Sequence, residues 1–158
     1  MKENYQKTLN FIIEHEGEKV HKVKGDSGGL TAYGGLTLNT MKILKLDLNG
    51  DGIVNEKDVY LVNKEVIDKA FRKHFWDKIN GDNLPSGIDL ILTDVAWNSG
   101  IGKARQFQRE GYTSDIKSLI ERRKRFYEYQ ATLPEKKKFL KGWLNRASDA
   151  YKAAKECV

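Results

Sequence analysis

Apolar side chains recur at three- and four-residue spacing along most of this chain, the period of a helix with one face turned inward. Tyr5, Leu9, Ile12 and Ile13 open the pattern. Val66, Ile67, Ala70, Phe71 and Phe75 continue it, with His74 on the same face as a packed core residue. Ile116, Leu119, Ile120, Phe126 and Tyr127 form a later stripe, whose opposite face is read as Arg122, Arg123, Lys124 and Arg125. Phe139, Leu140, Trp143, Leu144, Ala147, Tyr151 and Ala154 form the last. The segment from Ile88 to Trp97 is apolar nearly all round, which marks the central core helix. Expected helix starts are Asn39, Asn63, a capping box Ser86-x-x-Asp89, Ser114, and a second box at Thr132-Leu133-Pro134-Glu135. Residues 19–37 break the helical period. Lys19 to Val23 and Leu30 to Tyr33 are expected to pair as a small β-hairpin around Gly25-Asp26-Ser27-Gly28-Gly29.

Glu16 continues the first stripe, at i+4 from Ile12 and i+3 from Ile13. Gly17 follows at once, the residue type that ends helices. Glu16 is therefore expected in the last turn, facing inward. Burial and the negative end of a helix dipole both favour the neutral form of a carboxyl, and a general acid must carry its proton. Asp26 in the glycine-rich turn is either a structural turn residue or a second, ionised carboxylate. Thr31 follows with a hydroxyl able to hold a water.

A second motif runs from Asp47 to Asp58 and reads DLNGDGIVNEKD. Oxygen side chains stand at loop positions 1, 3, 5, 9 and 12: Asp47, Asn49, Asp51, Asn55 and Asp58. Gly52 holds the sharp-turn position and Ile53 offers a backbone carbonyl. This is the pattern of an EF-hand calcium loop between two short helices. Its final Asp resembles the dockerin variant. The expected cofactor is Ca2+, structural and open to a regulatory role.

Glu16-Gly17 followed by Asp26-x-Gly28-Gly29-x-Thr31-x-Tyr33-Gly34 resembles the N-terminal motif of glycoside hydrolase family 108, N-acetylmuramidases of phage lysis cassettes and bacterial secretion loci. Glu18 stands where that motif has a second glycine, and Gly35 where it has Ile. The calcium loop reads as an insertion. Phe75-Trp76-Asp77-Lys78-Ile79, Leu84-Pro85-Ser86-Gly87, Asp94-x-Ala96-x-Asn98-Ser99-Gly100 and Lys141-Gly142-Trp143-Leu144-Asn145-Arg146 resemble the peptidoglycan-binding module that follows it. A segment of that module is shortened here to 110–115.

The resemblance implies a mainly α, lysozyme-like α+β fold: a helical bundle whose N-terminal β-hairpin flanks a catalytic cleft. It implies one domain, 1–158, with a catalytic lobe over 1–62 and a helical lobe over 63–158. It implies hydrolysis of the β-1,4 bond between N-acetylmuramic acid and N-acetylglucosamine. Glu16 would be the acid, Asp26 and Thr31 would position a water, and Tyr33, Asp94, Trp97 and Asn98 would contact substrate. From the residues alone, Asp94 and Asn98 either line a cleft or hold neighbouring backbone. The rival readings are a lytic transglycosylase and a non-catalytic, calcium-stabilised wall-binding protein.

At 158 residues the chain can bury a real core. No apolar run approaches a membrane span of about 18 residues, so stable membrane insertion is not expected. The first residues lack a secretory pattern, so synthesis in the cytoplasm is expected, with action in the cell wall or periplasm and holin-assisted export if a phage encodes the protein. Cys157 is the single cysteine and cannot form an internal disulfide. His15, His21 and His74 are scattered without zinc spacing. The net charge of +6 is uneven: residues 103–158 carry 15 basic and 7 acidic side chains, a balance of +8. That implies a polyanionic partner. Nucleic acid is not expected, because the basic runs lack interleaved aromatics or a reader motif. Bacterial peptidoglycan is the expected partner and a monomer the expected state.

Overall fold

A computed structural model describes residues 2–17, 19–21 and 29–158. Among these described residues the α-helices are α1 (Tyr5–Glu16), α2 (Leu38–Leu44), α3 (Glu56–Val59), α4 (Lys64–Phe71), α5 (Ile88–Ser99), α6 (Ile101–Arg109), α7 (Ile116–Gln130) and α8 (Leu140–Lys155). A π-helical turn, Arg72–Trp76, extends α4. None of these helices is long and apolar enough to cross a membrane.

The chain divides into two compact units, Met1–Phe11 with Phe75–Val158, and Ile12–His74. The division expected at 62/63 falls later because α4 packs on the 3-10 turn Tyr33–Gly35. Gly34 there has φ +71, and a Cβ on it would lie 3.1 Å from Ile67 of α4. The backbone comes this close only because the position is glycine.

The first unit is built on α5. Every residue from Ile88 to Ala96 is buried, and α6, α7 and α8 all pack against this helix. A helix apolar on every side has nowhere else to go. Trp76, wholly buried, donates from Nε1 to Asp82 and meets the Tyr5 ring edge-on.

The expected β-hairpin does not form among the described residues. Two isolated antiparallel bridges stand in its place, His21 with Thr31 and Thr31 with Thr37. Neither flanking run alternates apolar and polar residues, so neither has a face to bury as a strand. Residues 22–28, the end of the first expected strand and most of the turn, lie outside the described residues.

Several helix starts also differ. Thr37, not Asn39, caps α2, accepting from the Thr40 N–H. Asp115, not Ser114, caps α7. Asp89 turns back onto the Gly87 and Leu90 N–H groups and is held by Asn4, whose amide also donates to Ser86; no Ser86 capping box forms. Thr132 donates to the Tyr129 carbonyl, and successive i to i+3 turns delay α8 until Leu140. Asn63 caps α4 as expected.

Candidate active site

Glu16 is the last residue of α1 and is half-buried. Gly17, at φ +86, ends the helix, its N–H donating to the Ile13 carbonyl at 2.9 Å. The Gly17 carbonyl then accepts from the Gly34 N–H at 2.9 Å. This bond ties the helix end to the turn that follows Thr31. Gly35, at φ +85, lies directly against Glu16: a Cβ there would come within 2.6 Å of its Cγ and Oε2. The Glu16 side chain thus rests on bare backbone.

Thr31 belongs to the same unit and is only 5% exposed. It exchanges hydrogen bonds with His21, N–H to carbonyl in both directions at 2.9 and 2.7 Å. Ala32 next to it accepts from the Gly35 N–H, so Thr31 and the floor beneath Glu16 belong to one hydrogen-bonded loop. Tyr33 is half-buried in that loop. Asp26 lies outside the described residues.

Asp94, Trp97 and Asn98 belong to the other unit, on α5. Trp97 is half-buried, its ring 4.6 Å from that of Phe75. Asn98 is exposed. Asp94 is wholly buried, which corrects the expectation that it touches substrate. Arg123 and Arg146 each donate to its carboxylate at 2.6 Å. Burial pushes this carboxyl up, but the Arg146 and Arg123 guanidinium groups outweigh it and hold Asp94 at about 2. Asp94 is therefore an anionic anchor joining α5, α7 and α8.

Arg123, expected on the face of α7 opposite its apolar stripe, is instead 0% exposed. The signal was present: Arg123 stands at i+4 from Leu119 and i+3 from Ile120, on the apolar stripe itself. Burial lowers its pKa, but the Asp94 carboxylate, the Tyr127 phenol oxygen and the hydrogen bonds to both turn the net shift upward. Its Nη1 finds no acceptor among the described residues.

The loop 47–58 is wound on its own backbone. Asp47 accepts from Gly50 and Gly52, Asn49 from Asp51, and Asp51 from Ile53. Asn55 caps α3 through the Lys57 N–H. Asp58 is wholly buried, accepting from the N–H groups of Leu48, Asn49 and Asn55. The Asn55 N–H lowers its carboxyl pKa most; burial opposes this, and Leu48 and Asn49 reinforce it. Among the described residues no three His, Cys, Asp or Glu side chains are gathered as a metal site.

No curated protein matches the chain. The solved structure of Brucella abortus SagA is similar over 99% of this chain and 97% of that one, at TM-score 0.82 and 22% identity. At that identity the likeness is one of fold: the helical arrangement is shared. The model of the family Glycosyl hydrolase 108 matches residues 9–100. That match covers more than half of the chain, including Glu16, Thr31, Tyr33 and all of α5, so the chain belongs to glycosyl hydrolase family 108 and is a glycoside hydrolase.

Proposed function

We propose that the protein is an endolysin-type muramidase that hydrolyses the β-1,4 bond between N-acetylmuramic acid and N-acetylglucosamine in bacterial peptidoglycan. The observation that carries this reading is Glu16, half-buried at the negative end of α1 and braced by the Gly35 backbone. A carboxyl held in one place beside bare backbone suits a general acid that must meet a glycosidic oxygen. Asp26 would stay ionised and, with Thr31, position the attacking water. Room for that water implies a carboxyl separation of ~6.5–9.5 Å and inversion at the anomeric carbon. Tyr33 would contact the glycan beside them; on the other unit Trp97 and Asn98 are proposed as glycan contacts of their own, and Asp94 would hold the helix that carries them. The basic segment 103–158 would favour the anionic wall. The protein would act as a monomer in the cell wall or periplasm, reached with a holin where a phage encodes it.

Replacing Glu16 by Gln removes the proton and keeps the shape. Glu16→Gln is expected to fold as the wild type by circular dichroism and to lose about 100-fold or more of its activity. Mass spectrometry of the muropeptides released from purified walls checks this. Reducing ends that carry added water support hydrolysis, whereas 1,6-anhydro ends would assign a lytic transglycosylase. A folded Glu16→Gln protein that still clears walls would end the assignment.

A structural calcium ion in the loop 47–58 belongs to the same reading. Asp47, Asn49, Asp51, Asn55, Asp58 and the Ile53 carbonyl would hold it. The donor set suits a hard cation. Each accepting oxygen of Asp47, Asn49 and Asp51 takes one hydrogen bond, as does Asp58 Oδ2, so a lone pair remains on each. The ion's part would be to offset the loop's carboxylates, not to enter the reaction.

A further inference from the structure

We propose that Asn98 is a one-way hydrogen-bond donor to the acetamido carbonyl of the glycan, its amide set by a buried relay through Tyr127, Arg123 and Asp94. This rests on the glycan-cleaving reading above and deepens it.

The direction of the relay follows from which groups can donate. Asp94, ionised between two guanidinium groups, only accepts. Arg123, which only donates, gives Nη2 to Asp94 at 2.6 Å and Nε to the Tyr127 hydroxyl at 3.0 Å. The phenol oxygen therefore accepts from Arg123, and its single hydrogen is left for Asn98, 3.1 Å away. The Asn98 atom that receives it must be Oδ1. An Asn amide reversed by half a turn would set its N–H against the phenol hydrogen. The orientation of this exposed side chain is thus dictated from the interior, where Asp94 and Arg123 are 0% and Tyr127 2% exposed. What Asn98 offers at the surface is Nδ2, a donor without acceptor capacity.

Such a fixed donor selects among sugar groups. A hydroxyl both donates and accepts, so it would be served by either amide orientation. A carbonyl only accepts, so it gains from an amide locked this way. The acetamido group is the carbonyl that every residue of a peptidoglycan glycan strand carries. Without that carbonyl the oriented amide keeps only water as its acceptor, so the difference expected between the two strand types is on the scale of one hydrogen bond.

The test measures binding of soluble peptidoglycan glycan strands by isothermal titration calorimetry, in the Glu16→Gln background so that strands are not consumed. The same strands, chemically de-N-acetylated, serve as the comparison. Asn98→Asp keeps an oxygen for Tyr127 but turns the outward donor into an acceptor. It is expected to weaken binding of N-acetylated strands about tenfold, the scale of one hydrogen bond, and to abolish the preference over de-N-acetylated strands. Tyr127→Phe frees the amide and is expected to give a smaller loss, with no further loss when added to Asn98→Asp. A merely structural role for Tyr127 would weaken binding of both strand types alike. Unchanged binding by a folded Asn98→Asp protein, no preference for N-acetylated strands in the parent, or no binding at all would overturn the proposal. Turnover of walls by the wild type is scored separately, so failure of the muramidase reading is told apart from failure of the donor.

Discussion

One added methyl group is enough to probe how Glu16 is held. Gly35→Ala puts a Cβ within 2.6 Å of the Glu16 side chain, at a backbone φ of +85. Ala tolerates that φ at a cost of roughly 1–2 kcal/mol, so the variant should fold with a modest loss of stability. Glu16 must move aside, and displacement of a catalytic group by an ångström can cost about 100-fold in rate. Wall turnover is therefore expected to fall far more than the melting temperature, measured on the same preparation. A variant that melts lower but turns over walls at the wild-type rate would show that Glu16 is not the acid. Glu16 and Gly17 were legible as a helix end, since spacing places the one and backbone preference the other. Gly35 was legible only as a departure from a family motif. Its use as a floor depends on a close approach between residues nineteen positions apart, about which periodicity is silent.

At the scale of elements, α2, the loop 47–58 and α3 behave as one clasp. Its backbone amides are collected by Asp47, Asn49, Asp51 and Asp58, and three of those side chains are carboxylates. If a calcium ion offsets their charge, an excess of EDTA removes stabilisation of about 2–3 kcal/mol at saturating metal. In a chain of this size that lowers the melting temperature by about 5–10 °C. Differential scanning calorimetry with and without added calcium reads this directly, and identical melts would remove the ion from the account. The Asp, Asn and Gly positions of the loop were legible because they follow a fixed local register; calcium is what those melts test. The starts of α2, α5, α7 and α8 were less legible. Each offers several Ser, Thr, Asn or Asp side chains within a few positions. Which one caps is decided by where the others are drawn, as Asn4 draws Ser86 and Asp89.

At the scale of the molecule, acid sensitivity follows from the one ion cluster in the described core that α5, α7 and α8 share. The Asp94 carboxyl lies at about 2 in the folded chain against 3.8 ordinarily. The unfolded chain therefore takes up this proton more readily, and the contribution is complete above about pH 4 and lost as the pH falls to about 2. The loss amounts to about 2 kcal/mol. Asp58, lowered in the same direction, adds to it. Urea melts between pH 5 and pH 2 should show falling stability, and Asp94→Asn, where folded, should flatten part of that slope. A wild-type profile flat across this range would contradict the ionised anchor.

The sequence by itself determined the helical class, the helix end at Glu16, the loop 47–58 and the residues that carry the family likeness. All of these rest on short-range rules: the helical period, glycine at positive φ, and the spacing of Asp, Asn and Gly side chains along a turn. The tertiary structure decided what those residues face. It placed Arg123 inside with Asp94, set Gly35 beneath Glu16, and among the described residues formed two bridges where a hairpin was expected. Burial, charge pairing and close backbone approach arise only when distant segments pack, and no local pattern encodes which partner arrives.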